Sequence, residues 1–135
     1  MAKGNGTKDD PWQLTTAPGS SEYTMYVDEQ ADPPLLVCQV GSTKLTYLAR
    51  SLDDLHDWLV EKADWVDLGA ADEKKTAKGG TVEAFGRAAD NPVGGWYGQR
   101  NGYRGRFGMY VPPLLEALGR AELTHEPRNN SVRAI

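Results

Sequence analysis

The run LLVCQV at residues 35–40, followed at once by Gly41-Ser42 and TKLTYLA at 43–49, leaves the chain little choice of local structure. A nearly continuous apolar series of this length suits a buried strand, and a two-residue connection with glycine first fits a type II′ turn. An antiparallel hairpin over residues 35–49 is therefore expected. Because Leu35, Leu36 and Val37 are continuous rather than alternating, the first arm is the middle strand of a three-strand meander. Its other neighbour is the segment in which Tyr23, Met25 and Val27 alternate with Thr24 and Tyr26. Directly after the hairpin, SLDDLHDWLVEK places Leu52, Leu55, Trp58 and Leu59 at helical spacing. Ser51 with acidic residues in the next turn suits a helix start. The apolar stripe is expected to lie on the meander, with Asp53, Asp57 and Glu61 outward.

Elsewhere the signals are shorter. Residues 1–10 are polar and Gly-rich and are expected to be loose until Pro11, Trp12 and Leu14 anchor the chain. DWVDLG at 64–69 closes the first unit with Trp65, Val66 and Leu68 inward, and a polar loop follows to Gly80. Thr81 suits the cap of a short helix carrying Val82, Ala84 and Phe85. Pro112-Pro113 opens a second short helix that Gly119 ends. Ala121 to His125 and Ser131 to Ile135 form a closing hairpin around EPRNN, where Asn129-Asn130 tolerates positive φ. The expected fold is α+β. An antiparallel β-meander is packed by one amphipathic helix, and a small helix-plus-β-hairpin unit, loosely winged-helix-like, follows within a single domain, 1–135.

Composition narrows the function classes. No run approaches the roughly 18 to 20 apolar residues that cross a bilayer, and MAKGNGTKDD lacks a secretory apolar stretch, so a cytoplasmic protein with no membrane partner is expected. The lone Cys38 agrees with a reducing compartment. Charge is segregated: residues 1–95 hold nine Lys/Arg against sixteen Asp/Glu, whereas residues 96–135 hold six Arg against three Glu.

Between Asp90 and Glu116 there is no acidic residue at all, and the segment reads NPVGGWYGQRNGYRGRFGMYVPPLL. Guanidinium groups grip phosphate or carboxylate in pairs of hydrogen bonds, and aromatic rings offer flat contact. Arg100, Arg104, Arg106, Trp96, Tyr97 and Tyr103 are thus the candidate ligand-binding residues. The expected role is a non-catalytic binding module for a small anionic ligand or an acidic protein partner. A homodimer is also open, since Tyr, Trp and Arg gather at interface centres. The competing structural account has the arginines pairing with the acidic helix at 51–62 while the aromatics fill the core.

Other chemistries find less support. One Cys and two His, His56 and His125, supply no zinc set, so no metal and no cofactor is expected. Cys38 in an apolar strand suits a small core residue better than a nucleophile, and no catalytic residue is assigned. GSTK at 41–44 lacks the upstream glycine of a phosphate loop. An enzyme acting on an anionic metabolite, with the arginines as substrate clamps, remains the alternative from another class. Nucleic-acid binding by the winged-helix-like unit is possible but not favoured, because a net charge of −4 opposes phosphate affinity.

Several strings together carry a resemblance over nearly the whole chain: CQVGST at 38–43, DWVDLG at 64–69, NPVGGWYG at 91–98, RGRFGMYVPPLLEALG at 104–119 and PRNN at 127–130. The chain resembles a family of short uncharacterised bacterial proteins, a domain of unknown function. The resemblance implies a free-standing bacterial domain and transfers no catalytic residue.

Overall fold

The computed structural model describes residues 3–69, 76–98 and 106–135. Four antiparallel strands in sequence order make the first sheet: β1 (Trp12–Thr15), β2 (Glu22–Asp28), β3 (Leu35–Val40) and β4 (Thr43–Leu48). Val40 pairs with Thr43 across the turn and Gly41 has φ +57, as the two-residue connection requires. Cys38 stands between Met25 and Leu45, and Leu36 between Val27 and Tyr47. Residues two apart thus line one face, where Tyr23, Met25, Leu36, Cys38, Leu45 and Tyr47 are buried. Burial drives the Cys38 thiol pKa far above its ordinary value, so this residue is inert core material.

The meander has one strand more than expected. β1 joins it because residues 3–10 are not loose: they fold back in a turn in which Asn5 and Gly6 both donate to the Asp10 carbonyl. Val27 donates to the Gly6 carbonyl, and Lys3 bridges to Gln13. Backbone groups that seem idle in a polar sequence here cap a sheet edge.

Helix α1 (Ser51–Lys62) buries Leu52, Leu55 and Leu59 and runs beside the C-terminal strand at Ser131–Ala134, where the meander was the expected neighbour. Its start differs from the Ser51 cap expected. Leu52 donates to the Ala49 carbonyl and Asp54 to that of Arg50, so the chain is already turning before Ser51, whose hydroxyl is buried without a partner. Arg50 is the flanking residue, and its Nε reaches Asp54 at 2.8 Å.

The second sheet is also larger than the hairpin expected. β5 (Val66–Asp67) pairs with β7 (Ser131–Ala134), which pairs with β6 (Ala121–Leu123), giving the order β5-β7-β6. Val66 and Leu68 are buried as expected, but Trp65 is 38% exposed and lies under the Arg133 guanidinium, 4.7 Å from its ring centre. Three short helices precede the hairpin: α2 (Val82–Phe85), α3 (Phe107–Tyr110) and α4 (Pro112–Ala117). The Thr81 hydroxyl accepts from the Ala84 N–H, the capping its sequence suggested, and Gly119 at φ +76 follows α4. No described helix is long and apolar enough to cross a membrane.

One contiguous core joins both sheets and all four helices. Inside it lies Glu83, a carboxylate with no solvent exposure. Its Oε1 accepts from the Gly108 N–H at 2.8 Å, its Oε2 receives Arg87 Nε at 3.0 Å, and its own N–H donates to the Leu68 carbonyl. Gly108 is required there, because a Cβ would strike the Leu68 carbonyl oxygen. Replacing Glu83 with alanine removes an acceptor from both a buried N–H and a guanidinium and should cost ~3–5 kcal/mol. Glu83→Gln, which keeps one acceptor, should cost less. Urea unfolding of both variants measures the difference, and equal stability of all three proteins would rule the arrangement out.

Candidate functional site

Of the six residues expected to bind ligand, Arg100, Tyr103 and Arg104 lie outside the described residues. The other three have different surroundings. Tyr97 has no exposed surface. Its ring stacks on Phe107 at 5.5 Å, its hydroxyl donates to Asp54 Oδ2 at 2.9 Å, and its carbonyl accepts from Leu48 at the free edge of β4. Burial, then the bond to Asp54, raises its phenol pKa well above the ordinary value. The flat face expected for a ligand is therefore spent on the core. Trp96 is half-buried, edge-on to Tyr47 at 5.7 Å, with its indole N–H enclosed and unpartnered.

Arg106 occupies a different setting. It takes the left-handed conformation, φ +65, just before α3, which turns Phe107 into the core while the guanidinium approaches Met109 Sδ at 3.9 Å. It also lies beside the Tyr110 hydroxyl. Burial raises that phenol's pKa, and the arginine's charge and hydrogen bond partly offset the rise. No described carboxylate forms an ion pair with Arg106, whereas Arg50, Arg87, Arg120 and Arg133 each have an acidic partner. The alternative expectation, that the arginines of the basic segment pair with the acidic helix at 51–62, finds no such pair at Arg106 among the described residues; Asp54 and Asp53 of that helix pair with Arg50 and Arg120 instead.

Met109 leads to a cleft of about 620 Å³ bounded by the β1–β2 connection, the end of β5, the segment before α2 and the β6–β7 loop. Leu68, Met109 and Ala17 give it apolar surface. Lys78 and Arg128 line it, both exposed and in no ion pair with a described residue. The Asp67 carboxylate at its side is held by the Ser131 hydroxyl at 2.8 Å. The tip that carries Arg128 is shaped by Asn130, whose Oδ1 accepts from the Glu126 N–H at 2.7 Å and whose Nδ2 donates to the Glu126 carbonyl. The Asn130 carbonyl accepts from the Leu68 N–H, so the tip is fastened to the cleft's floor. Asn129 has φ +59, the conformation its sequence suggested.

Lys78 and the Arg128 tip did not stand out as a site, because they lie 50 residues apart in unremarkable loops. A volume of this size, with apolar walls and a few charged groups, is what small-ligand sites have. Two cations facing it suit an anion.

A family model described as "Family of unknown function (DUF6855)" matches residues 4–135. No curated protein and no solved structure matches the chain.

Tyr97 supplies a direct check on these assignments. Tyr97→Phe keeps the stacked ring and loses one hydrogen bond to a carboxylate, an expected ~1.5–3 kcal/mol, while Tyr97→Ala should cost ~3–5 kcal/mol. A surface platform would lose under ~0.5 kcal/mol in either case. Chemical denaturation decides between them.

Proposed function

We propose that this chain, which belongs to that family of unknown function, is a non-catalytic binding module that takes a small anionic ligand in the cleft lined by Lys78 and Arg128. The observation carrying the proposal is that Lys78 and Arg128, which line one cleft with Leu68 and Met109, form no ion pair with a described residue. Two exposed cations lining one cleft of about 620 Å³ attract an anion in concert, against the Asp67 carboxylate of the same cleft, which the Ser131 hydroxyl holds. Met109 lines this cleft and also meets Arg106, which has no ion pair with a described residue and so adds positive charge beside it. Arg100, Tyr103 and Arg104, which precede Arg106 in the chain, belong to the same proposal on sequence grounds. Trp96 contributes apolar area nearby rather than an open stacking face.

Leu68 and Met109 favour a ligand with an apolar body beside its charged group, such as a phosphorylated or carboxylated small molecule. Recognition by guanidinium and ammonium requires only the anion's charge and oxygens, so sulfate, pyrophosphate and a nucleoside monophosphate are suitable probes. A probe present at about a hundred times its Kd should stabilise the fold by ~2.7 kcal/mol, or ~8 °C in Tm for a chain of this size. Lys78→Ala with Arg128→Ala should abolish the shift at little cost to the unliganded Tm, since both side chains are exposed. An Arg106→Ala change should weaken it. An undiminished shift in the double variant, or no response to any probe, would refute the assignment.

A further inference from the structure

The two walls of the cleft meet at one titratable ring. Ala17 belongs to the β1–β2 connection, and Arg128 to the tip of the β6–β7 hairpin. His125, which enters that hairpin loop, places Nδ1 2.9 Å from the Ala17 carbonyl oxygen and Nε2 2.8 Å from Glu116 Oε2 on α4. Both partners are acceptors. An imidazolium has two N–H donors and satisfies both, whereas neutral imidazole has one donor and must turn a lone pair toward either the carbonyl or the carboxylate.

We infer that His125 is a pH-sensitive clamp on the cleft: protonated, it pins the Ala17 wall and α4 to the hairpin, and deprotonated, it releases one of them. The ligand consequence rests on the anion-binding reading above; the clamp itself does not. Glu116 is the charged group that meets the ring. Its carboxylate also accepts from the Leu123 N–H at 3.2 Å, so it is fixed in place. The β1–β2 connection presents only its carbonyl to the ring, and neither Glu126 nor Arg128, the other charged residues of the hairpin loop, contacts a ring nitrogen. The hydrogen bond the ring donates to Glu116, then the one it donates to the Ala17 carbonyl, hold the proton and raise the histidine pKa above its ordinary 6.5. A folded-state pKa raised above the unfolded one means that this contribution to stability is complete below about pH 6.5. It is lost as pH climbs through the folded value.

The test uses sulfate, whose charge is constant over roughly pH 5 to 9, unlike phosphate. Sulfate affinity and amide chemical shifts are followed by NMR across that range in the wild type, in His125→Gln and in Glu116→Gln. The expected result is at least a ~5-fold loss of affinity from about pH 6 to about pH 9, with a midpoint equal to that of the imidazole. The loss should be absent in His125→Gln and its midpoint lower in Glu116→Gln. Should His125→Gln fail to fold, the Glu116→Gln midpoint carries the comparison. Affinity independent of pH while the imidazole titrates, or the same loss in His125→Gln, overturns the clamp. Should sulfate bind at no pH, the anion site fails, and the Ala17, Glu116 and Asn129 amides then decide the clamp. Shifts that follow the imidazole midpoint sustain it, and static shifts end it.

Discussion

A carboxylate sealed from solvent must find enough hydrogen bonds and positive charge to offset its lost hydration; that of Glu83 meets Gly108 and Arg87, while the residue's backbone N–H ties in a third segment. Through its own N–H it holds Leu68 at the end of β5. Through Oε1 it caps the first turn of α3 at Gly108, and through Oε2 it holds Arg87 beyond α2. Short helices of four residues have little stability of their own, so α2 and α3 depend on this shared acceptor and on the packing around it. Leu68 and Met109, the floor of the cleft, stand next to these anchored points. The shape of the cleft is thus inherited from a buried charge that lies outside its lining.

The first sheet contributes by how its edges are finished. An edge strand with open N–H and C=O groups invites pairing with another chain. Here β1 is covered by the turn at residues 3–10, and β4 by Tyr97 and Gly98, with Leu48 donating to the Tyr97 carbonyl and Tyr47 bridged to Gly98. That second cover has a side effect. Once the backbone of Tyr97 is tied to β4, its ring is delivered between Phe107 and Phe85, and Trp96 meets Tyr47. Much of the aromatic content that looked like ligand-facing surface is the means by which the segment seals a sheet edge and the core beneath it.

This separates what the sequence could disclose from what it could not. The hairpin at 35–48, α1, the Thr81 cap, Gly119 and the closing hairpin were readable because each depends on periodicity or on a residue with a special backbone preference. The pairing of Val66 with Val132 depends on two residues of β5 meeting a strand 66 positions later, with no local signature. Glu83 looked like any acidic residue in a short helix, since burial of a charge is decided by partners such as Gly108 and Arg87 that no spacing announces. Ser51 misled because a hydroxyl before an amphipathic run is a good cap only if the chain has not begun turning, and it had, at Ala49. The basic segment was half informative. It drew notice to Arg106, which has no ion pair with a described residue, but gave no sign of the cleft that Lys78 and Arg128 line.

The cleft therefore combines two kinds of constraint. Its floor is set by interactions that no ordinary change of solution reaches: the buried carboxylate, the fit of Gly108 under the Leu68 carbonyl, and the Phe107 stack. Its walls are the β1–β2 connection and the hairpin tip, loops joined to each other through the ring of His125, which is more than half exposed. A wall held by a solvent-facing histidine responds to protons, whereas a floor held by core packing does not. In the proposed reading, a site with a fixed floor and proton-sensitive walls would keep the positions of its apolar contacts while the spacing of its cations changed. Selectivity for the body of a ligand and affinity for its charge would then be governed by separate parts of the fold.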